Sequence, residues 1–115
     1  KPFASVKIEI DGEIYEETSS GDGQYDAFMK ALRKIYTKLD KEYPILTDYR
    51  VSIPPGGRTD ALVETIITWN YKSKEYKTKG LDADQTESAI KATEKILNII
   101  EGFNEKENKR SVVQI

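Results

Sequence analysis

From Ser5 to Ile10 apolar and polar residues alternate, with Val6, Ile8 and Ile10 on one face and Ser5, Lys7 and Glu9 on the other. That period of two is the signature of a half-buried strand. Asp11-Gly12 follows, two residues that tolerate positive φ and so predict a tight hairpin turn. The turn sets Ile10 opposite Glu13 and Ile8 opposite Tyr15, and the return strand runs to about Ser20. The period then changes. Ala27, Phe28, Ala31, Leu32, Ile35, Tyr36 and Leu39 recur at helical spacing, predicting a helix from Ala27 to about Tyr43 with Asp26 as its N-cap and Pro44 blocking its continuation. Asp48 to Ile53 alternates again, with Tyr49, Val51 and Ile53 aligned, and Pro54-Pro55-Gly56-Gly57 reads as a loop. Ala61 to Tyr71 is the longest predicted strand, turned back by Lys72-Ser73 into Lys74–Lys79, with Gly80 ending it. A second helix, capped by Asp82 or Asp84, spans Gln85 to about Gly102 and buries Ala89, Ala92, Ile96, Leu97, Ile100 and Phe103.

The pattern repeats. Met29-Lys30-Ala31 with Lys34-Ile35 recurs as Ile90-Lys91-Ala92 with Lys95-Ile96, an offset of 61 residues that also carries Ile8 to Trp69 and Tyr15 to Tyr76. The fold class is therefore α+β, built from two hairpin-and-helix units (about residues 4–43 and 48–103) and a charged tail from 104 to 115. The second unit has one more strand, Tyr49 to Ile53, in front of its hairpin. A two-stranded sheet under one helix buries one face only and is marginal alone. The units are expected to pack on each other. Ile14, Leu62 and Ile66, on the opposite strand faces, call for a homodimer to cover them.

Composition narrows the function. The chain has 115 residues with 18 basic and 20 acidic side chains, 37% hydrophobic, and a net charge of −2. That is one domain's length, with no basic stripe for nucleic acid or membrane surface and no apolar run of roughly 20 residues to span a bilayer. Histidine and cysteine are absent, which excludes disulfides, thiolate and imidazole catalysis and the usual zinc sites, so neither a metal nor another cofactor is expected. The acidic residues follow solvated faces such as Glu16-Glu17, with no nucleophile beside them, so the chain is not expected to be an enzyme in its own right. It begins Lys1-Pro2-Phe3 and carries its sole methionine at position 29, as a piece of a longer polypeptide would. A small α+β RNA-binding domain is the alternative of another class: Trp69, Tyr71 and Tyr76 lie among Lys72, Lys74, Lys77 and Lys79, against an acidic overall balance.

Gly21-Asp22-Gly23-Gln24-Tyr25-Asp26-Ala27, then Asp48-Tyr49-Arg50-Val51, Arg58-Thr59-Asp60-Ala61 and Gly80-Leu81-Asp82-Ala83-Asp84-Gln85, in that order and spacing, resemble the C-terminal regulatory domain shared by 2-isopropylmalate synthase and citramalate synthase. The resemblance covers roughly residues 4–103 and is nearest to citramalate synthases of the isoleucine pathway, with Gln24-Tyr25 standing where many members carry Pro-Val. It implies a cytoplasmic homodimer that binds isoleucine, or leucine, at the dimer interface and slows a catalytic domain elsewhere on the same chain, an acyl-CoA-dependent transferase. The implied effector pocket takes Leu46, Tyr49, Ile53 and Val63 around the aliphatic side chain, positions that on residue type alone read as ordinary core and that only the resemblance makes a pocket. Backbone N–H groups at Tyr25-Asp26 and Asp84-Gln85 would meet the carboxylate, and Asp26, Asp60, Asp82 or Asp84 the ammonium. Thr59, Ala61 and Ala83 complete the matched motifs.

Overall fold

Two hairpins of the same geometry organise the chain. In the computed structural model, which describes residues 1–53 and 62–102, β1 (Phe3–Ile10) pairs antiparallel with β2 (Glu13–Ser20), and Ile8 faces Tyr15. β4 (Val63–Tyr71) pairs with β5 (Lys74–Asp82), and Trp69 faces Tyr76. The turn residues all lie at positive φ: Asp11 at 51° and Gly12 at 82°, Lys72 at 51° and Ser73 at 63°. Two consecutive left-handed residues match the strands' right-handed twist and fix the register. Each hairpin leads to a helix, α1 (Gln24–Lys38) and α2 (Gln85–Glu101), so the 61-residue offset also holds from Gln24 to Gln85. β3 (Ile45–Ser52) adds to β4, giving a three-stranded sheet in the order β3-β4-β5, while β1-β2 is a separate two-stranded sheet. The fold is α+β as expected.

The chain divides into two compact units, one of Lys1–Tyr43 that also takes in Glu101, the other Pro44–Ile100. In the first, Ala4, Val6, Ile8 and Ile10 are buried together with Ala27, Phe28, Ala31, Leu32, Ile35 and Tyr36 of α1. Glu101, its side chain 6% exposed, accepts a hydrogen bond from the Tyr36 hydroxyl at 2.7 Å and pairs with Lys41. In the second, Ile67 and Trp69 are buried with Ala89, Ala92, Ile96 and Leu97 of α2. This core carries a polar seam. The Trp69 indole N–H donates to Thr78 Oγ1 at 2.9 Å, and Thr78 donates to the Ala92 carbonyl at 2.7 Å. Ser88 Oγ donates to the Gln85 carbonyl, so Thr65 Oγ1, 2.5 Å away, is the donor to Ser88.

Three expectations are corrected. α1 begins at Gln24 with Gly23 as its N-cap, which places Asp26 in the first turn. There Asp26 accepts the Asp22 N–H at 2.8 Å, acting as the acidic partner of the helix start and not as the cap. α1 also stops at Lys38, well before Tyr43: Asp40 turns left-handed at φ 53° and the Lys41 N–H returns to the Tyr36 carbonyl at 3.0 Å, a closure that needs no proline. Gly80 does not end β5, which continues to Asp82. A Cβ on Gly80 would lie 1.9 Å from the Ser88 carbonyl oxygen, so the missing side chain is what lets α2 cross the strand. The start of the long strand at Ala61, the Pro54–Gly57 loop, Phe103 and the 104–115 tail lie outside the described residues.

Candidate effector site

β3 is exposed over most of its length. Its pairing with β4 sets Leu46 opposite Trp69, Tyr49 opposite Ile67 and Val51 opposite Thr65. Those β4 residues form the face that packs on α2, and Val63 continues it. Leu46 and Tyr49 are three residues apart and in a regular strand would point to opposite faces. A β-bulge between Leu46 and Asp48 brings both to the α2 side. Ile53, one residue beyond β3, continues the parity of Tyr49 and Val51. Leu46, Tyr49, Ile53 and Val63 thus share one face of the sheet.

They are much less covered than their neighbours. Ile67 and Trp69 are fully buried, while Leu46 is 36%, Val51 40% and Ile53 67% exposed, and Tyr49 and Val63 are half-buried. The face α2 covers over β4 therefore continues across β3 as an open apolar ledge. Its two ends are far apart: Leu46 lies beside Trp69 and Val63 beside Asp82, six β4 residues or about 20 Å along the sheet. Val51 belongs to the ledge by its pairing, although sequence reasoning left it out of the site.

At the Val63 end the chain passes from β5 into α2 through Asp82, Ala83, Asp84 and Gln85. Asp82 Oδ1 accepts the Asp84 N–H at 2.9 Å, and Oδ2 pairs with Lys91 at 2.8 Å. The Lys91 ammonium, followed by the Asp84 N–H, holds the Asp82 carboxyl below the usual carboxylate range, and Asp82 in turn raises Lys91. Asp84 Oδ1 accepts the Glu87 N–H at 3.0 Å and caps α2. Ala83, Asp84 and Gln85 are exposed.

Tyr25 and Asp26 belong to the other unit, at the start of α1. Tyr25 stacks on Phe28 with ring centroids 6.0 Å apart. Asp26 is held ionised by the Asp22 N–H and then by Lys30, whose ammonium is 3.2 Å away. Gly21 gives this loop its close approach, since a Cβ there would stand 2.4 Å from the Ala27 nitrogen. The structure thus groups Ile53, Val63 and Asp82–Gln85 at one end of the three-stranded sheet, sets Tyr49 mid-strand and Leu46 at the far end, and keeps Tyr25 and Asp26 in the first unit. Thr59, Asp60 and Ala61 lie outside the described residues.

Residues 1–101 match the family described as the LeuA allosteric (dimerisation) domain. The chain belongs to that family. Among similar proteins, the 2-isopropylmalate synthase of Methanocaldococcus jannaschii is 33% identical over 103 residues, 90% of this chain and 18% of that protein. The 2-isopropylmalate synthase of Shewanella woodyi is 31% identical over 96 residues, 84% of this chain and 17% of that protein. That of Yersinia pestis is 33% identical over 112 residues, 96% of this chain and 20% of that protein. The LeuA-type domain described here spans a fifth or less of these relatives' length. Among its described residues no helix is long and apolar enough to cross a membrane.

Proposed function

We propose that this LeuA-type regulatory domain binds isoleucine at the seam of a homodimer and carries feedback inhibition to the catalytic domain of a cytoplasmic citramalate synthase, an acyl-CoA-dependent transferase. The observation that supports it best is the open apolar ledge on one sheet face, reached by Leu46 and Tyr49 along β3, whose Ile53–Val63 end meets the α2 start. An aliphatic side chain of four carbons needs a small apolar surface that is left uncovered until the ligand or a second copy arrives. Thr59, Asp60 and Ala61, together with Tyr25, Asp26 and Asp82–Gln85, are the proposed polar shell for the ligand's ammonium and carboxylate. Effector binding would order the two copies together, with a coupling on the order of 1–3 kcal/mol to the catalytic half.

The names of the relatives favour a second reading, leucine as effector and a 2-isopropylmalate synthase as the parent. An apolar pocket separates two such ligands by only about 1–3 kcal/mol, so direct titration has to decide. Calorimetry of the chain with isoleucine and with leucine is the experiment. Heat with isoleucine that is weakened in Tyr49→Ala supports the first reading, and stronger leucine binding supports the second. No binding of either amino acid ends both.

A further inference from the structure

The two copies of the repeat differ where their helices cross the outer strand of the hairpin. In the second unit Gly80 lies directly under α2, with the Ser88 oxygen and Ala92 nitrogen 1.9 and 2.7 Å from where a Cβ would stand. Thr78, two residues earlier, is hydrogen-bonded to the helix through the Ala92 carbonyl. The repeat offset carries Gly80 to Ser19 and Thr78 to Glu17. Both stand on the helix side of β2, opposite Ala4 and Val6. Side chains stand at both positions in the first unit, and together with one face of α1 they line an open cleft of about 500 Å³.

The α1 wall of the cleft is made of basic residues whose carbon stems form most of its surface. Lys30, Arg33, Lys34 and Lys38 of α1 line it, and Glu17 is the carboxylate inside. Lys30 pairs with Asp26 at 3.2 Å and Lys38 with Glu17 at 2.5 Å. The other two cations have neutral partners: Lys34 donates to the Thr18 carbonyl at 2.7 Å, and the Arg33 guanidinium lies 5.3 Å over the Tyr43 ring. Four cations against two carboxylates leave two positive charges in excess, on a chain whose net charge is −2. The cluster belongs to this copy alone, because the offset replaces Arg33 by Glu94 and Lys38 by Ile99.

We infer that the cleft between β2 and α1 is a second ligand site, separate from the effector ledge, for a small metabolite carrying a dianionic phosphate group. The two positive charges in excess match a double charge on one group, and a guanidinium bridges two of its oxygens. The volume falls in the range of about 300–1,000 Å³ typical of small-molecule sites. Ser19 and Thr37 on the same walls offer hydroxyls to the rest of such a ligand. Binding draws the Lys34 ammonium from the Thr18 carbonyl to the phosphate oxygens.

The test titrates inorganic phosphate, and acetate at matched ionic strength, into the whole chain at about 150 mM salt, where loose screening attractions are weak, and follows backbone amide NMR shifts. Saturable shifts confined to β2 and α1, given by phosphate and not by acetate, are expected. Arg33 and Lys34 are exposed, so the double variant Arg33→Gln/Lys34→Gln keeps the fold and weakens binding at least about tenfold. Glu17→Gln strengthens it by removing the opposing carboxylate, and Lys95→Gln, the matched position on α2, leaves it unchanged. Shifts that never saturate, that spread equally over the lysines of both units, or that survive in the double variant overturn the inference, as does weaker binding in Glu17→Gln.

Discussion

Gly80 and Ser19 occupy the same place in the two repeats and make opposite demands. A methyl group at Gly80 meets helix backbone, which cannot swing aside, so Gly80→Ala is expected to lower unfolding stability by about 1–3 kcal/mol or more in a urea titration, as overpacking does. Ser19→Ala, which shortens a side chain already accommodated, should stay within about 0.5 kcal/mol. Thr78 holds two partners at once. Thr78→Val keeps the shape but strips the Trp69 indole N–H of its acceptor and the Ala92 carbonyl of its side-chain donor, a loss of about 1–3 kcal/mol. Trp69 is the sole tryptophan, so its fluorescence reads the change directly. Thr65→Val should cost less, because the Ser88 hydroxyl it serves keeps its bond to the Gln85 carbonyl. None of these roles is written in local sequence. A glycine after a strand reads as a stop, and only the helix arriving from residues 85–101 shows why it is there.

At the scale of elements, the hairpin registers and the ends of α2 were legible, and the ends of α1 were not. A two-residue turn at Asp11-Gly12 leaves a single register for its strands, so the facing of Ile8 and Tyr15 followed from the sequence. The end of α1 depends on Asp40 turning left-handed, a conformation Asp tolerates but does not announce. The bulge that brings Leu46 to the side of Tyr49 leaves no local signal either, which is why the ledge could be drawn from resemblance but not from periodicity. Both helices send a lysine over the outer strand of their own hairpin: Lys34 to the Thr18 carbonyl and Lys91 to the Leu81 carbonyl. These occupy acceptors on the outer edges of β2 and β5, a familiar guard against strand addition. Both helix starts also depend on ionised carboxylates. Asp26 is held low first by the Asp22 N–H and Asp82 first by Lys91. A carboxyl depressed in the folded state contributes stability above its unfolded value, near about pH 4, and loses it as pH falls through the folded value. Acid titration of the melting temperature should therefore fall more gently below about pH 4 in Asp82→Asn than in the parent. At the alkaline end the sign reverses. The enclosed Tyr43 hydroxyl is pushed above its ordinary value by burial, so the stability it contributes is lost as pH rises past about 10.

For the molecule as a whole, membership of a dimerisation family fits where apolar surface is left open. Of the exposed large apolar side chains among the described residues, Ile45, Leu46, Val51, Ile53, Leu62, Leu81 and Ile99 belong to the unit that carries β3, and Phe3 and Ile14 to the other. Val51→Lys should shift sedimentation toward the monomer without lowering the helix signal, because the side chain is already 40% exposed. An effector that binds the folded state at a hundred times its Kd should add about 2.7 kcal/mol of apparent stability, visible as a raised melting temperature.

Glu101 is the last residue of α2, yet its carboxylate is enclosed by Tyr36 and Lys41 of the first unit. Because the ribosome makes chains from the N-terminus, the opening hairpin and α1 emerge well before the acid that finishes their packing. A released chain cut short at Ile100 should hence show its N-terminal portion more open to protease than the full chain, and Glu101→Gln in the full chain should not give all the protection that Glu gives.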